Sequence, residues 1–175
     1  MNYATIKPVD IANGPGVRVS LFVSGCRHHC KGCFNAQAWD FEYGEPFTEE
    51  VWQKIFSALD HDYMEGITLL GGEPMEPENQ AGLLPFLKEL KKRFPKKTIW
   101  CFSGYDFEKD ILGGMMKESE VTRELVPLLD VLVDGKFVED LKNLSLKFRG
   151  SENQRILDVA RSLAAGKAVW MEQYR

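Results

Sequence analysis

The chain has 175 residues, 44% of them hydrophobic, which is enough apolar surface for one core and predicts a single domain over 1–175. Its net charge is −4, and no stretch interleaves clustered Lys and Arg with aromatics, so a nucleic-acid partner is excluded. No apolar run of ~18 residues occurs and residues 1–10 lack a signal pattern, so a soluble, cytoplasmic protein with no membrane partner is expected.

Residues 17–23 (VRVSLFV) are β-branched and apolar, as a buried strand requires, and a cysteine-rich loop follows at once. From Thr48, a helix-capping residue, two glutamates and the spacing of Val51, Trp52, Ile55, Phe56 and Leu59 predict an amphipathic helix. The run GITLLGGEP is an apolar strand entering Gly71-Gly72, and residues 83–94 form the next helix, with Pro85 taken to mark its start. Residues 97–104 (KTIWCFSG) make a third strand, 119–129 a third helix and 130–137 (DVLVDGKF) a fourth strand. The segment 138–175 is less regular, with a short helix at 158–165 ended by Gly166 and AVWM as a final strand. The basic run 88–97 reads as a solvated helix face, and no Ser–His–Asp set or paired carboxylates suggest hydrolysis.

Strand–helix alternation implies an α/β fold on a parallel sheet, whose ligand sites gather at the C-terminal ends of the strands. The unusual motifs fall there: the cysteine loop, Gly71-Gly72-Glu73-Pro74, Ser103-Gly104, and Asp134-Gly135-Lys136.

Cys26, Cys30 and Cys33 form C-x3-C-x2-C, while Cys101 is the only other thiol. Three thiols so close read as metal ligands, and both iron–sulfur clusters and zinc select thiolate. The fourth ligand separates the two metals. Zinc would recruit His28, His29 or Cys101, but the histidines lie inside the tight loop and Cys101 sits in an apolar strand that suits a core residue. A cubane cluster accepts three cysteines and leaves one iron open.

This motif resembles the signature of the radical S-adenosylmethionine enzymes. Together with VDIANGPG, GGEP and VLVDGKFVEDLKNLSLKFRGSENQR, it is similar to the glycyl-radical enzyme activases that serve anaerobic ribonucleoside-triphosphate reductase, over about 9–155. Gly32 stands where the wider superfamily has an aromatic, which here is Phe34, as in those activases. The resemblance implies a partial, laterally open (β/α)6 barrel of the radical SAM type. It implies a [4Fe–4S] cluster on Cys26, Cys30 and Cys33 with one open iron, reductive cleavage of S-adenosylmethionine (SAM) to methionine and a 5′-deoxyadenosyl radical, and a glycyl radical raised on the reductase.

Cofactor contacts are then expected from Gly32, Cys33, Phe34, Gly71, Gly72, Glu73, Ser103, Asp134 and Lys136. Gly72 is expected to keep a Cβ out of the cofactor's way. Residues 13–16 (NGPG) would border the partner's entry, and residues 149–155 would dock the partner or close the pocket. A low-potential electron donor is implied, and homodimerisation stays open. Two rival readings remain: an activase of another glycyl-radical enzyme such as pyruvate formate-lyase, and a zinc-bound interaction module without catalysis.

Overall fold

The computed structural model covers residues 1–175 and contains one seven-stranded mixed sheet in the order β3-β1-β2-β4-β5-β6-β7. Its centre is parallel: β2 (Val17–Val23), β4 (Met64–Gly71), β5 (Thr98–Phe102) and β6 (Val131–Asp134). At one side β1 (Asn2–Asp10) runs antiparallel to β2 and carries the two-residue β3 (Glu45–Pro46); at the other, β7 (Arg155–Asp158) runs antiparallel to β6. The α/β expectation therefore holds, on a mixed sheet with four parallel strands.

Three helical crossovers join those four strands. Helix α1 (Glu49–Leu59) buries Val51, Ile55, Phe56 and Leu59, the stripe its spacing predicts. Helix α2 (Pro77–Arg93) starts six residues earlier than expected, because Pro77 occupies its first turn and Pro85 lies inside it. Pro85 is exposed, so the carbonyl its missing N–H leaves unbonded can turn to water. The third crossover opens with a π-helical stretch, Phe107–Met115, capped by the Asp106 side chain accepting from Lys109 N–H at 2.8 Å. It continues as α3 (Met116–Glu118) and α4 (Glu120–Leu125), and Pro127 then stands in a 3-10 turn that ends it. Gly113-Gly114 hid this stretch from sequence reasoning, since tandem glycines argue against helix. Helix α5 (Val159–Ala165) is capped by Asp158 and ends on Gly166 at φ 67°, as expected.

Three strands at the sides of the sheet, β1, β3 and β7, went unforeseen, and a predicted one is absent. In β1, Pro8 falls where the pairing with β2 breaks register between Lys7 and Asp10, which is how an edge strand tolerates a residue without N–H. The AVWM segment forms only a single bridge, Trp170 to Leu157, and the strand there is β7 instead.

Side chains alternate across each strand, and the two faces differ. One face, carrying Val19, Leu21, Ile67, Leu69, Ile99, Cys101 and Leu132, packs under all the helices in a 25-residue apolar cluster. The other carries Ser20, Thr68 and Arg18 beside Trp100, and the C-terminal segment covers part of it through Phe148, Met171 and Tyr174. Arg18 is 1% exposed and donates to Thr68 Oγ1, Thr98 Oγ1 and the Ile67 and Thr98 carbonyls at 2.9–3.0 Å. Burial lowers its pKa to about 10.

Candidate functional site: a cysteine loop over a cavity at the strand ends

The cysteine loop leaves β2 and folds back sharply. Left-handed φ angles occur just before the first cysteine and once in each interval between cysteines: Gly25 at 103°, His29 at 50° and Gly32 at 76°. His29 is the position where a side chain makes that conformation costly, about 1–3 kcal/mol, and it stacks on Trp39 with ring centroids 4.3 Å apart. Buried side chains hold the loop's start. Asn79 Nδ2 donates to the Ser24, Gly25 and Glu73 carbonyls at 3.0, 3.3 and 2.9 Å, and Glu76 accepts from the Arg27 backbone N–H at 2.9 Å and its guanidinium at 2.7 Å. Cys33 Sγ accepts from the Asn35 N–H at 3.4 Å.

Below the loop lies a cavity of about 230 Å³. Of the residues singled out by sequence, Cys26, Cys30, Cys33, Phe34, Gly71, Gly72, Glu73 and Ser103 line it. Gly32, Asp134 and Lys136 do not. Gly32 turns the loop outside the cavity, where an added Cβ would meet Glu139 at 2.9 Å. The Asp134 carboxylate, 1% exposed, is held by Arg155 Nε at 2.9 Å and Nη2 at 2.5 Å and by the Phe107 N–H at 2.8 Å. Lys136 is exposed and borders a neighbouring hollow with His28 and Cys30. An acidic and a basic residue two apart at the end of the predicted 130–137 strand suggested a shared cofactor face; the structure ends β6 at Asp134, which pairs with Arg155, and leaves Lys136 beyond the strand.

Gly71 and Gly72 occupy the wall for a reason the sequence could not disclose. Gly71 sits at φ 106°, and a Cβ on it would lie 2.7 Å from backbone atoms of Phe22 and Val23. A Cβ on Gly72 would lie 2.7 Å from Gly25 O and 2.8 Å from Ala38 O. The tight approach at Gly72 is thus with the cysteine loop's own backbone, not with the cavity. Ser103 Oγ accepts from Tyr105 N–H at 3.1 Å, so its hydroxyl shapes the turn after β5.

Residues without a motif complete the wall. Trp39, Phe102, Gly135, Gly150 and Gln154 line it beside His28. Gln154 holds its segment there, its Oε1 accepting from Gly150 N–H at 2.8 Å and its Nε2 donating to Gly135 O at 3.0 Å. The 149–155 stretch had drawn notice for its amides, and the structure brings it to the cavity's edge; Trp39 carried no sequence signal.

The donor set distinguishes between metals. A tetrahedral zinc holds its sulfurs about 2.3 Å away and so about 3.8 Å from each other. The one place where three candidate donor atoms lie within 4.8 Å of one another is Asp106, Glu108 and Asp134, which surround Arg155 Nη2 at 3.6, 2.7 and 2.5 Å. The three loop thiols are not such a group, and a cubane, which binds each cysteine through a separate iron, does not need them to be. Cys101 is 1% exposed on the helix-covered face, and burial raises its pKa well above a free thiol's. Burial also pushes Cys26 up to about 11 and raises Cys30, with Cys33 adding to the latter, so a positive metal centre must displace those protons.

An α/β sheet that presents three loop thiols above a glycine-walled cavity at its parallel strand ends defines an iron–sulfur protein of the single-cluster kind. Residues 12–157 match the model of the 4Fe-4S single cluster domain family. The anaerobic ribonucleoside-triphosphate reductase-activating protein of Pasteurella multocida is 43% identical over 158 residues, which cover 89% of this chain and 96% of that protein. Proteins of the same name from Escherichia coli K12 and phage T4 are 42% and 40% identical over 156 residues each, covering 88% and 89% of this chain and 96% and 93% of theirs. The chain belongs to the family of anaerobic ribonucleoside-triphosphate reductase-activating proteins, within the 4Fe-4S single cluster domain family.

Proposed function

We propose that this protein raises the glycyl radical on an anaerobic ribonucleoside-triphosphate reductase, with Cys26, Cys30 and Cys33 holding a [4Fe–4S] cluster whose open iron takes SAM in the cavity beneath. The observation that carries this is the loop itself: three thiols at a parallel strand end, all lining one cavity walled by Gly71 and Glu73. A cluster held by Cys26, Cys30 and Cys33 with SAM beside it would supply reductive cleavage of the sulfonium, using one electron from an external donor, and through it hydrogen-atom abstraction from a glycine.

The chain's residues do the rest. Left-handed turns at Gly25, His29 and Gly32 aim the thiols, and Asn79 and Glu76 hold the loop against the β4 end. Leu70, Phe102 and Phe137 give the cavity apolar walls that keep water from a radical. The Gln154 segment closes one edge. Helices that all pack on one face of the sheet are what a partial barrel with a lateral opening needs, and we read the four parallel strands as the core of such a laterally open (β/α)6 architecture, within one domain.

The glycine-bearing segment of the reductase enters through that opening, and a cytoplasmic low-potential donor supplies the electron. No helix here is long and apolar enough to cross a membrane. Anaerobic reconstitution with iron and sulfide tests the reading. The expected result is a brown protein with about four irons per chain, an electron paramagnetic resonance (EPR) signal that changes on adding SAM, and a glycyl radical on coexpressed reductase. A colourless protein holding one zinc overturns it.

A further inference from the structure

His28 sits between two loop cysteines, yet its ring is committed elsewhere. Its Nε2 pairs with Glu73 Oε2 at 2.9 Å, and the ring packs edge-on against Tyr105 with centroids 4.4 Å apart. Glu73 is 1% exposed and both its oxygens are engaged by the protein: Oε1 accepts from Met75 N–H at 2.8 Å, and Oε2 from Gly104 N–H at 2.7 Å as well as from His28. Gly104 is also fitted to the imidazole, since a Cβ there would lie 2.6 Å from His28 Cδ2. The Glu73 carboxylate thus bridges the cysteine loop to the turn after β5, and both segments wall the cavity.

We propose that His28 is a positioning residue which, through Glu73, sets the separation between the cysteine loop and the Ser103–Tyr105 turn, and with it the geometry in which the cavity holds a sulfonium cofactor beside the cluster. The inference rests on the function proposed above. It does not make His28 a ligand, because Asn79 and Glu76 anchor the loop's start independently of the imidazole.

The test uses His28→Ala and His28→Gln, reconstituted anaerobically beside the wild type. Iron and sulfide content should equal the wild type in both. The dissociation constant for SAM should rise roughly tenfold in His28→Ala, the scale of one lost hydrogen bond to a buried carboxylate. His28→Gln, whose amide N–H can reach Glu73, should stay within about threefold of wild type. In the metal-free proteins, amide exchange at Gly104 should quicken in His28→Ala and not in His28→Gln.

Unchanged SAM affinity in His28→Ala overturns the inference, as does a His28→Gln protein as weak as His28→Ala. Iron loss or unfolding in both variants overturns it too, since His28 would then hold the cluster or the fold itself. A wild-type protein that carries the cluster and does not bind SAM refutes the proposed function instead, which separates the two failures.

Discussion

The two faces of the sheet do different work from the same strands. On the helix-covered face the strands point apolar side chains inward, and stability follows from burial at about 25 cal/mol per Å². On the other face, and at the strand ends above it, polar groups are buried one by one with named partners: Arg18 with Thr68 and Thr98, Asp10 with Ser20, Glu73 with His28 and Gly104. The contrast shows where a substitution should act. A change on the first face should cost folding free energy and leave the site's chemistry intact; a change at the strand ends should do the reverse.

The sharpest break in that comparison comes from the thiols. Cys26→Ala, Cys30→Ala and Cys33→Ala should each abolish cluster assembly and deoxyadenosine formation while the far-ultraviolet circular dichroism stays native. Cys101→Ala, on the helix-covered face, should keep the full iron complement and lose about 1 kcal/mol of stability in urea titration. Cluster loss with Cys101→Ala would erase the division between the faces.

Gly72→Ala should come next. Its Cβ meets backbone of the cysteine loop, so iron content and SAM binding should fall together, measured by iron assay and equilibrium binding. Normal iron with weakened SAM would move the close contact to the cavity side, where the sequence had suggested it. Phe86→Ala, inside the apolar cluster and stacked on Phe56 with centroids 5.5 Å apart, should cost about 3–5 kcal/mol by urea unfolding with unchanged iron per folded molecule.

A modest effect concerns Asp10 on the polar face. Burial works to raise its pKa, but hydrogen bonds from Ser20, the Ala12 N–H and Asn13 outweigh it, so the folded value lies below the usual carboxylate value of about 3.9. Its contribution is therefore complete above the unfolded value and is lost as pH falls through the folded one. Asp10→Asn should destabilise the protein by about 1–2 kcal/mol at pH 7, and the difference should close below about pH 4 in urea midpoints taken across that range.

Reading the chain unaided succeeded where the pattern was local. The β2, β4, β5 and β6 strands are largely apolar runs, α1 carries its stripe although Thr48 makes no side-chain cap, α5 carries its Asp158 cap, and the C-x3-C-x2-C spacing marks a metal-binding loop without a structure. It failed where a distant partner decided. Pro85 was mistaken for a helix start because exposure, which makes it tolerable, depends on packing. Both β1 and β7 lack alternation strong enough to betray edge strands. Nothing in DGK announces that the Asp134 carboxylate pairs with Arg155, 21 residues on.

Spacing within a few residues determined the thiol-rich loop and the strand–helix order, since thiol count and hydrophobic period need no long-range information, and resemblance of the local motifs pointed to the family. Tertiary structure alone decided that Gly72 presses on Gly25, that His28 and Glu73 meet from 45 residues apart, and that Gln154 returns to the cavity. Those contacts arise from chain segments brought together by the sheet, and the partner of a buried polar group cannot be known until the group is buried.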